Sequence, residues 1–268
     1  MDTEAGAQPC AARADAPSPD ELKAELLDIP ELPEEARPPE PPGLERILAA
    51  AVGYVRGKRG GDLLAVILVG SGARRALTRH SDLDLIALVK GQDEGEEMVR
   101  VADRLVEVRY RAHKTVEQEL LTAPRLPSLL RKARVLFEHE MAGTKLLEKA
   151  TSCFRQGPPP VSPNDKIRLK ANCFHWLGKA EDLSDQPAVA RYLLGIFLDE
   201  LLQAFFRLRG FWLTAPADTL RVLAAREPAL ADLVERFLTA GTLLDRLALG
   251  RQLANQVFED VPNPPRVD

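Results

Sequence analysis

Apolar and polar positions follow two regimes along the chain, and the period changes near residue 156. Upstream, short aliphatic runs bounded by glycines are interleaved with segments of helical spacing; downstream, Leu, Phe and Ala recur at intervals of three and four. Leu44, Ile47, Leu48, Val52 and Val55 lie on one helical face, and this helix is expected to end at Gly57 and the Gly60-Gly61 pair. Leu63 to Val69 is short, aliphatic and flanked by glycine, as a buried central strand is. Asp82 to Val89, Leu105 to Tyr110 and Arg134 to Glu138 are expected as further strands. Asp93 to Arg104 and Thr115 to Lys132 are expected to be helical, and a helix from about Met141 to Ser152 closes the first domain. The run from Gln156 to Pro163, with three consecutive prolines, permits neither helix nor ladder pairing and marks a domain boundary. Beyond it, breaks at Asp185-Gln-Pro, Gly210, Ala215-Pro and Glu227-Pro divide a helical pattern into about five helices. The expected fold class is α+β: a mixed sheet with helices over 43–155, then an all-α bundle over 162–260.

The first forty residues differ from both regimes. They hold seven prolines, eleven acidic and three basic side chains, a composition too poor in large apolar clusters to offset the entropy of ordering. Residues 1–42 are therefore expected to be a flexible acidic segment, interrupted by a short helix that starts at Ser18 and carries Leu22, Leu26 and Leu27 on one face. The tail from Pro262 is expected to fray. Removing the acidic segment changes the charge picture: residues 41–268 hold 33 Lys and Arg against 29 Asp and Glu. That mild excess suits a polyphosphate ligand and is too small for the concentrated basic face of a nucleic-acid binder. No apolar stretch is long enough to span a bilayer, and the acidic N-terminus is unlike a signal peptide, so a cytoplasmic protein is expected. Cys10, Cys153 and Cys173 are odd in number and widely spaced, which indicates neither a disulfide framework nor a zinc site.

The chemistry is concentrated between Val69 and Leu85. A Gly70-Ser71 pair leaves one strand, and ten residues later Asp82 and Asp84 flank Leu83 at the start of the next. Side chains alternate along a strand, so the two carboxylates project together while Leu83 and Leu85 enter the core. Like charges on one face repel, and a hard cation with oxygen ligands relieves them; beside a polyphosphate that cation is Mg²⁺. Glu107, between Val106 and Val108, leaves the following strand on its polar face and can complete a cluster of three carboxylates. Gly70 lets the backbone approach a phosphate, and the free amides and the Ser71 hydroxyl can bind its oxygens, with an added helix dipole if the residues after Gly72 are helical. Metals and amides then grip one triphosphate from opposite sides, the layout of a two-metal in-line displacement at the α-phosphorus.

These residues resemble the signature of the nucleotidyltransferase superfamily that includes DNA polymerase beta. There a hydrophobic-Gly-Ser turn is followed, after a spacer, by Asp-hydrophobic-Asp-hydrophobic, matched here by Val69-Gly70-Ser71 and Asp82-Leu83-Asp84-Leu85. Ser81 before the first aspartate extends the match, and a small catalytic domain followed by helices is similar to the kanamycin nucleotidyltransferase group. The resemblance implies that Gly70 and Ser71 bind an NTP and that Asp82 and Asp84 ligate two Mg²⁺ ions. Glu107 would ligate the catalytic metal or take the acceptor proton, and the sequence leaves those two roles open. Of Arg74, Arg75 and Arg79 in the phosphate-facing loop, Arg74 is the candidate for triphosphate contact; Lys170, early in the helical domain, is a second. The expected reaction moves NMP from NTP to a hydroxyl of a small molecule, an antibiotic or a biosynthetic metabolite, with a homodimer as a further expectation. Transfer to tRNA or to a protein, or a non-catalytic nucleotide-binding scaffold, are the competing readings. Trp176, Phe197, Phe205, Phe206 and Trp212 are read as bundle core rather than as a stacking platform.

Overall fold

The computed structural model of the chain describes residues 38–265, so the short helix expected from Ser18 lies outside the described residues. Helix α1 (Leu44–Arg59) buries Leu44, Leu48, Ala51 and Val55, one stripe at helical spacing, and ends in Arg56, Lys58 and Arg59, where positive charge complements the helix dipole. Strand β1 (Leu63–Val69) follows, then a single helical turn, Gly70–Ala73, and a loop to β2 (Leu83–Val89). β3 (Gly95–Val101), β4 (Arg104–Ala112), α2 (His113–Glu119), α3 (Leu126–Leu130), β5 (Arg134–Glu138) and α4 (Ala142–Gln156) complete this part of the chain. The strands form one mixed sheet in the order β3-β4-β2-β1-β5. β2 and β4 run parallel, and the other pairs are antiparallel.

The central strands are buried on both faces, which is why their sequences read as continuous aliphatic runs. One face packs Val66, Leu68, Leu83, Leu85, Val106 and Val108 against α1; the other packs Ala65, Ile67 and Ile86 against Val116, Leu130, Leu146 and Ala150. α4 approaches closely because residue 143 is glycine. A Cβ there would lie 3.1 Å from a Val135 methyl carbon and 3.2 Å from Ala65 Cβ.

The helix expected over Asp93 to Arg104 is instead an edge strand. β3 pairs with β4 from Gly95 opposite Tyr110 to Val101 opposite Arg104, joined by Ala102 and Asp103 alone. The three-residue spacing of Met98 and Val101 fits a helix, but the segment also satisfies period two: Glu97, Val99 and Val101 turn inward while Glu96, Met98 and Arg100 are exposed. Non-local contacts decide between the two. Glu97 accepts hydrogen bonds from Tyr54 at 3.1 Å, from Lys58 at 2.5 Å and from Tyr110, which ties β3 to α1 and β4. Burial alone would raise the Glu97 pKa, yet the bonds from Lys58, Tyr110 and Tyr54 outweigh it and hold the group below the ordinary carboxylate value. The helical stretch expected over Thr115 to Lys132 is likewise two short helices, because Pro124 and Pro127 interrupt the backbone ladder.

After Gln156 the described residues form five helices: α5 (Pro163–Asp182), α6 (Pro187–Leu208), α7 (Pro216–Arg226), α8 (Pro228–Thr239) and α9 (Leu243–Val257). Proline at the first turn starts α5 to α8, where its missing N–H costs nothing. Ser162 and Thr242 cap α5 and α9 by accepting from the amides of Asp165 and Asp245. α6 is the axis of this core: Leu194, Phe197, Leu201, Phe205 and Phe206 are buried among Leu177, Leu223, Val234, Leu253 and Phe258. Phe197, Phe205 and Phe206 are thus core residues, whereas Trp212 packs with Phe154 of α4 at the junction with the sheet. Two hydrogen bonds hold that junction, from Leu213 N to the Pro124 carbonyl at 2.9 Å and from Ser128 Oγ to the Leu213 carbonyl at 2.5 Å. They bring the start of α7 over the end of β1.

Candidate functional site

β1 and β2 are antiparallel neighbours with Val69 opposite Asp84, so the residue after Val69 lies against the Asp84 side chain. Gly70 has φ +66°, and a Cβ built on it would sit 2.5 Å from Asp84 Oδ2. Only glycine allows both the left-handed backbone and this approach. The helical turn that follows spans four residues, too short to supply the helix dipole expected after Gly72. Its role is geometric: it turns the chain so that Ser71 and Arg74 face the same cleft as Asp84.

On the other side of β2, Asp84 pairs in register with Glu107 of the parallel strand β4. Asp82 stands just before β2, and the loop carrying it is held by Arg104, which donates to the carbonyls of Thr78 at 3.1 Å and Ser81 at 2.9 Å. Ser81 closes the loop by accepting from the Thr78 amide at 2.9 Å. Asp82, Asp84 and Glu107 each offer a carboxylate oxygen within 4.8 Å of the others. All three groups are partly buried.

The electrostatics fit a cation. Burial raises the Asp84 pKa, the Asp82 charge and Glu107 raise it further, and Arg109 partly offsets them. Arg109, two residues after Glu107 on the same face of β4, bonds Glu107 Oε1 at 2.5 Å and approaches Asp84 Oδ1 at 3.7 Å. Three carboxylates against one guanidinium leave two uncompensated negative charges when all are ionised, the complement of one divalent ion. Oxygen-only donors select a hard cation such as magnesium, calcium or manganese.

The cleft beside this cluster measures about 320 Å³ and is walled by both parts of the chain. Val69, Gly70, Ser71, Arg74, Asp84 and Arg109 come from the sheet side; Thr214, Pro216, Asp218 and Arg221 come from the start of α7. Arg125, Ser128 and Lys132 close it around α3. A wider groove of about 640 Å³ adjoins it, sharing Arg125, Leu129 and Pro216 and continuing to Arg111, Glu119, Asp199 and Gln203. Of the three arginines in the loop after Gly70, Arg74 lines the cleft, while Arg75 and Arg79 are exposed. Lys170 is not part of the cleft. Its ammonium donates to the Val261 carbonyl at 2.6 Å, inside the helical region.

Arg109, Arg125, Asp218 and Arg221 escaped the sequence reading. Arg109 was within reach, since period two places it beside Glu107 on the strand. Asp218 and Arg221 were not, because the residues they face lie more than a hundred positions earlier in the chain. Among the described residues no helix is long and apolar enough to cross a membrane.

No protein-family profile matches this chain, and no curated protein is significantly similar to it. Among solved structures it is similar to a nucleotidyltransferase-like protein from Exiguobacterium sibiricum 255-15, with 15% sequence identity, a TM-score of 0.47, and 80% of this chain and 75% of that chain covered. The functional reading rests on the geometry of the site itself.

Proposed function

We propose that the chain is a divalent-metal-dependent nucleotidyltransferase that moves NMP from an NTP to a hydroxyl group and releases pyrophosphate. One observation carries this reading: Asp84 touches the Gly70 turn on one side and joins Asp82 and Glu107 on the other, so a phosphate-sized turn and a cation-sized cluster share one carboxylate. A hydrolase triad from Ser71, His80 and Asp82 accounts for neither the glycine contact nor Glu107.

In this reading the NTP lies in the 320 Å³ cleft, with its phosphates against Gly70, Ser71 and Arg74. Asp82, Asp84 and Glu107 would hold the metal, magnesium being the hard cation that ordinarily accompanies a nucleoside triphosphate. A cation held there would supply Lewis acidity, lowering the pKa of the attacking hydroxyl and offsetting charge on the departing pyrophosphate. Arg109 fixes the Glu107 carboxylate from one side, leaving its remaining lone pairs for a ligand or an acceptor proton. The acceptor is a small hydroxylated molecule in the adjoining groove, whose apolar floor of Leu126, Leu129 and Leu213 is flanked by Glu119, Asp199 and Gln203.

The test incubates the purified protein with Mg²⁺, each labelled NTP in turn and a panel of hydroxylated metabolites. The expected outcome is pyrophosphate release that depends on the acceptor, with label on the small molecule. Label appearing in RNA or protein bands after incubation with cell extract would keep the chemistry and change the acceptor. Binding of NTP without turnover under either condition would overturn the enzyme reading in favour of a nucleotide-binding scaffold.

The loop that presents Asp82 supplies a separate prediction. Arg104→Ala removes both bonds to the Thr78 and Ser81 carbonyls, and the affinity of the cluster for Mn²⁺ is expected to fall about tenfold or more, as for other supports of metal ligands. Calorimetric titration of wild type and variant measures it, and equal affinities would show that the loop holds its shape without Arg104.

A further inference from the structure

Two guanidinium groups share one carboxylate at the seam between the sheet and the helices. Asp218, in the first turn of α7, is 8% exposed and is the one buried charged residue among those described. Arg74 binds its Oδ2 from the loop after Gly70, and Arg221 binds its Oδ1 at 2.8 Å from the same helix. Arg74 also donates through Nε to the Gly70 carbonyl at 3.1 Å, so the ion pair runs directly into the phosphate-facing turn.

This cluster is under-neutralised. Two positive charges face one negative charge in a place that excludes much of the water, and each arginine side chain is about one quarter exposed, 25% for Arg74 and 27% for Arg221. Burial, with the proximity of Arg221, lowers the Arg74 pKa, the sign of a cation short of counter-charge. Arg221 Nη1 is buried without a hydrogen-bond acceptor, an unmet donor that ordinarily destabilises a fold. Both arginines line the cleft that Ser71 and Asp84 enter. A carboxylate bound by two guanidiniums, with acceptor capacity still missing, is the arrangement a phosphate satisfies better, because it offers more oxygens and more charge.

We propose that Arg74 and Arg221 form a polyphosphate clamp split between the two parts of the chain, and that Asp218 is its resident anion until a triphosphate displaces it from Arg74. The inference rests on the nucleotidyltransferase reading and deepens it. Asp218 keeps Arg221, three residues away on its own helix, while Arg74 turns to the phosphate oxygens. The exchange releases the start of α7 from the Gly70 loop, which enlarges a cleft whose 320 Å³ is at the small end for a ligand pocket, about 300–1,000 Å³. Binding therefore carries the cost of breaking the internal pair, and Asp218 sets the apparent affinity.

The test compares full-length wild type, Asp218→Asn and Arg221→Gln for binding of inorganic tripolyphosphate and of ATP, each with Mg²⁺. Asp218→Asn is expected to bind both about tenfold more tightly, since the competing charge is gone, and Arg221→Gln to bind both more weakly. A second readout needs no substitution: in the wild type, amides 215–221 are expected to exchange faster when tripolyphosphate binds, while those of 70–76 slow. A folded Asp218→Asn protein that binds no more tightly, or a gain confined to ATP, overturns the clamp. If the variant does not fold, the wild-type exchange decides, and slower exchange of 215–221 overturns it. Failure of the wild type to bind either compound removes the nucleotidyltransferase reading together with the clamp; binding with α7 unmoved removes the clamp alone.

Discussion

Asp84→Asn is expected to abolish pyrophosphate release, by at least about a thousandfold or ~4 kcal/mol of transition-state stabilisation, while making the metal-free protein more stable. The opposite signs come from one cause. Asp84 is crowded by Asp82 and Glu107 and partly desolvated, so its folded-state pKa lies above the ordinary carboxylate value of 3.8. A raised carboxylate pKa contributes stability that is present below the unfolded-state value and is lost as pH rises through the folded-state value. Above that folded-state value the metal-free wild type carries the repulsion, and a neutral amide of the same shape removes it. The melting temperature in chelator should rise by roughly 2–4 °C, the shift that ~1 kcal/mol makes in a chain of this size. Magnesium reverses the ranking: it is expected to raise the wild-type melting temperature and to leave Asp84→Asn unmoved. Scanning both proteins with and without Mg²⁺ measures all four values, and a variant less stable than wild type in chelator would mean that the Arg109 contact outweighs the repulsion.

Gly70→Ala is expected to reduce transfer about a hundredfold or more without replacing any polar side chain of the site. The added methyl meets two obstacles. Residue 70 has φ +66°, a conformation that costs a residue with a Cβ roughly 1–2 kcal/mol. The Cβ would also stand 2.5 Å from Asp84 Oδ2 and 3.4 Å from Asp84 Cγ, so either the turn or the carboxylate must move. A displacement near 1 Å at a reacting centre costs on the order of a hundredfold. Gly72→Ala is the comparison that isolates this effect. Its Cβ would meet only the ends of Leu68 and Leu83 side chains, at 3.1 and 3.2 Å, and its φ is not positive, so the expected loss is in stability more than in turnover. Steady-state rates with thermal melts of both variants check the pair, and equal rate losses would show that crowding around the turn, rather than the Asp84 contact, governs activity.

Much of the sheet and of the acidic cluster is legible in the sequence, because its determinants are local. The aliphatic runs of β1 and β2 announce strands buried on both faces, and alternation alone puts Asp84 and Leu83 on opposite sides. Glu107 was found by the same rule, and the parallel pairing of β2 with β4 then set it directly opposite Asp84. β3 failed the same kind of reading. Its charged residues and its Met98 and Val101 spacing satisfy two periods at once, and the choice belonged to Tyr110, Lys58 and Tyr54, which grip Glu97 from other elements.

By itself, then, the sequence determined four of the five strands, the five helices beyond the proline run, and the acidic residues flanked by aliphatic ones, since each depends on residues within one or two turns of each other. Tertiary structure alone decided which cations face the cleft. It drew Lys170 away to the Val261 carbonyl and brought Asp218 and Arg221 to Arg74. A long side chain is placed by what its whole element packs against, and the junction bonds from Leu213 to Pro124 and from Ser128 to Leu213 set α7 over the cleft. No spacing rule connects residues so far apart, so their meeting is a property of the packed chain.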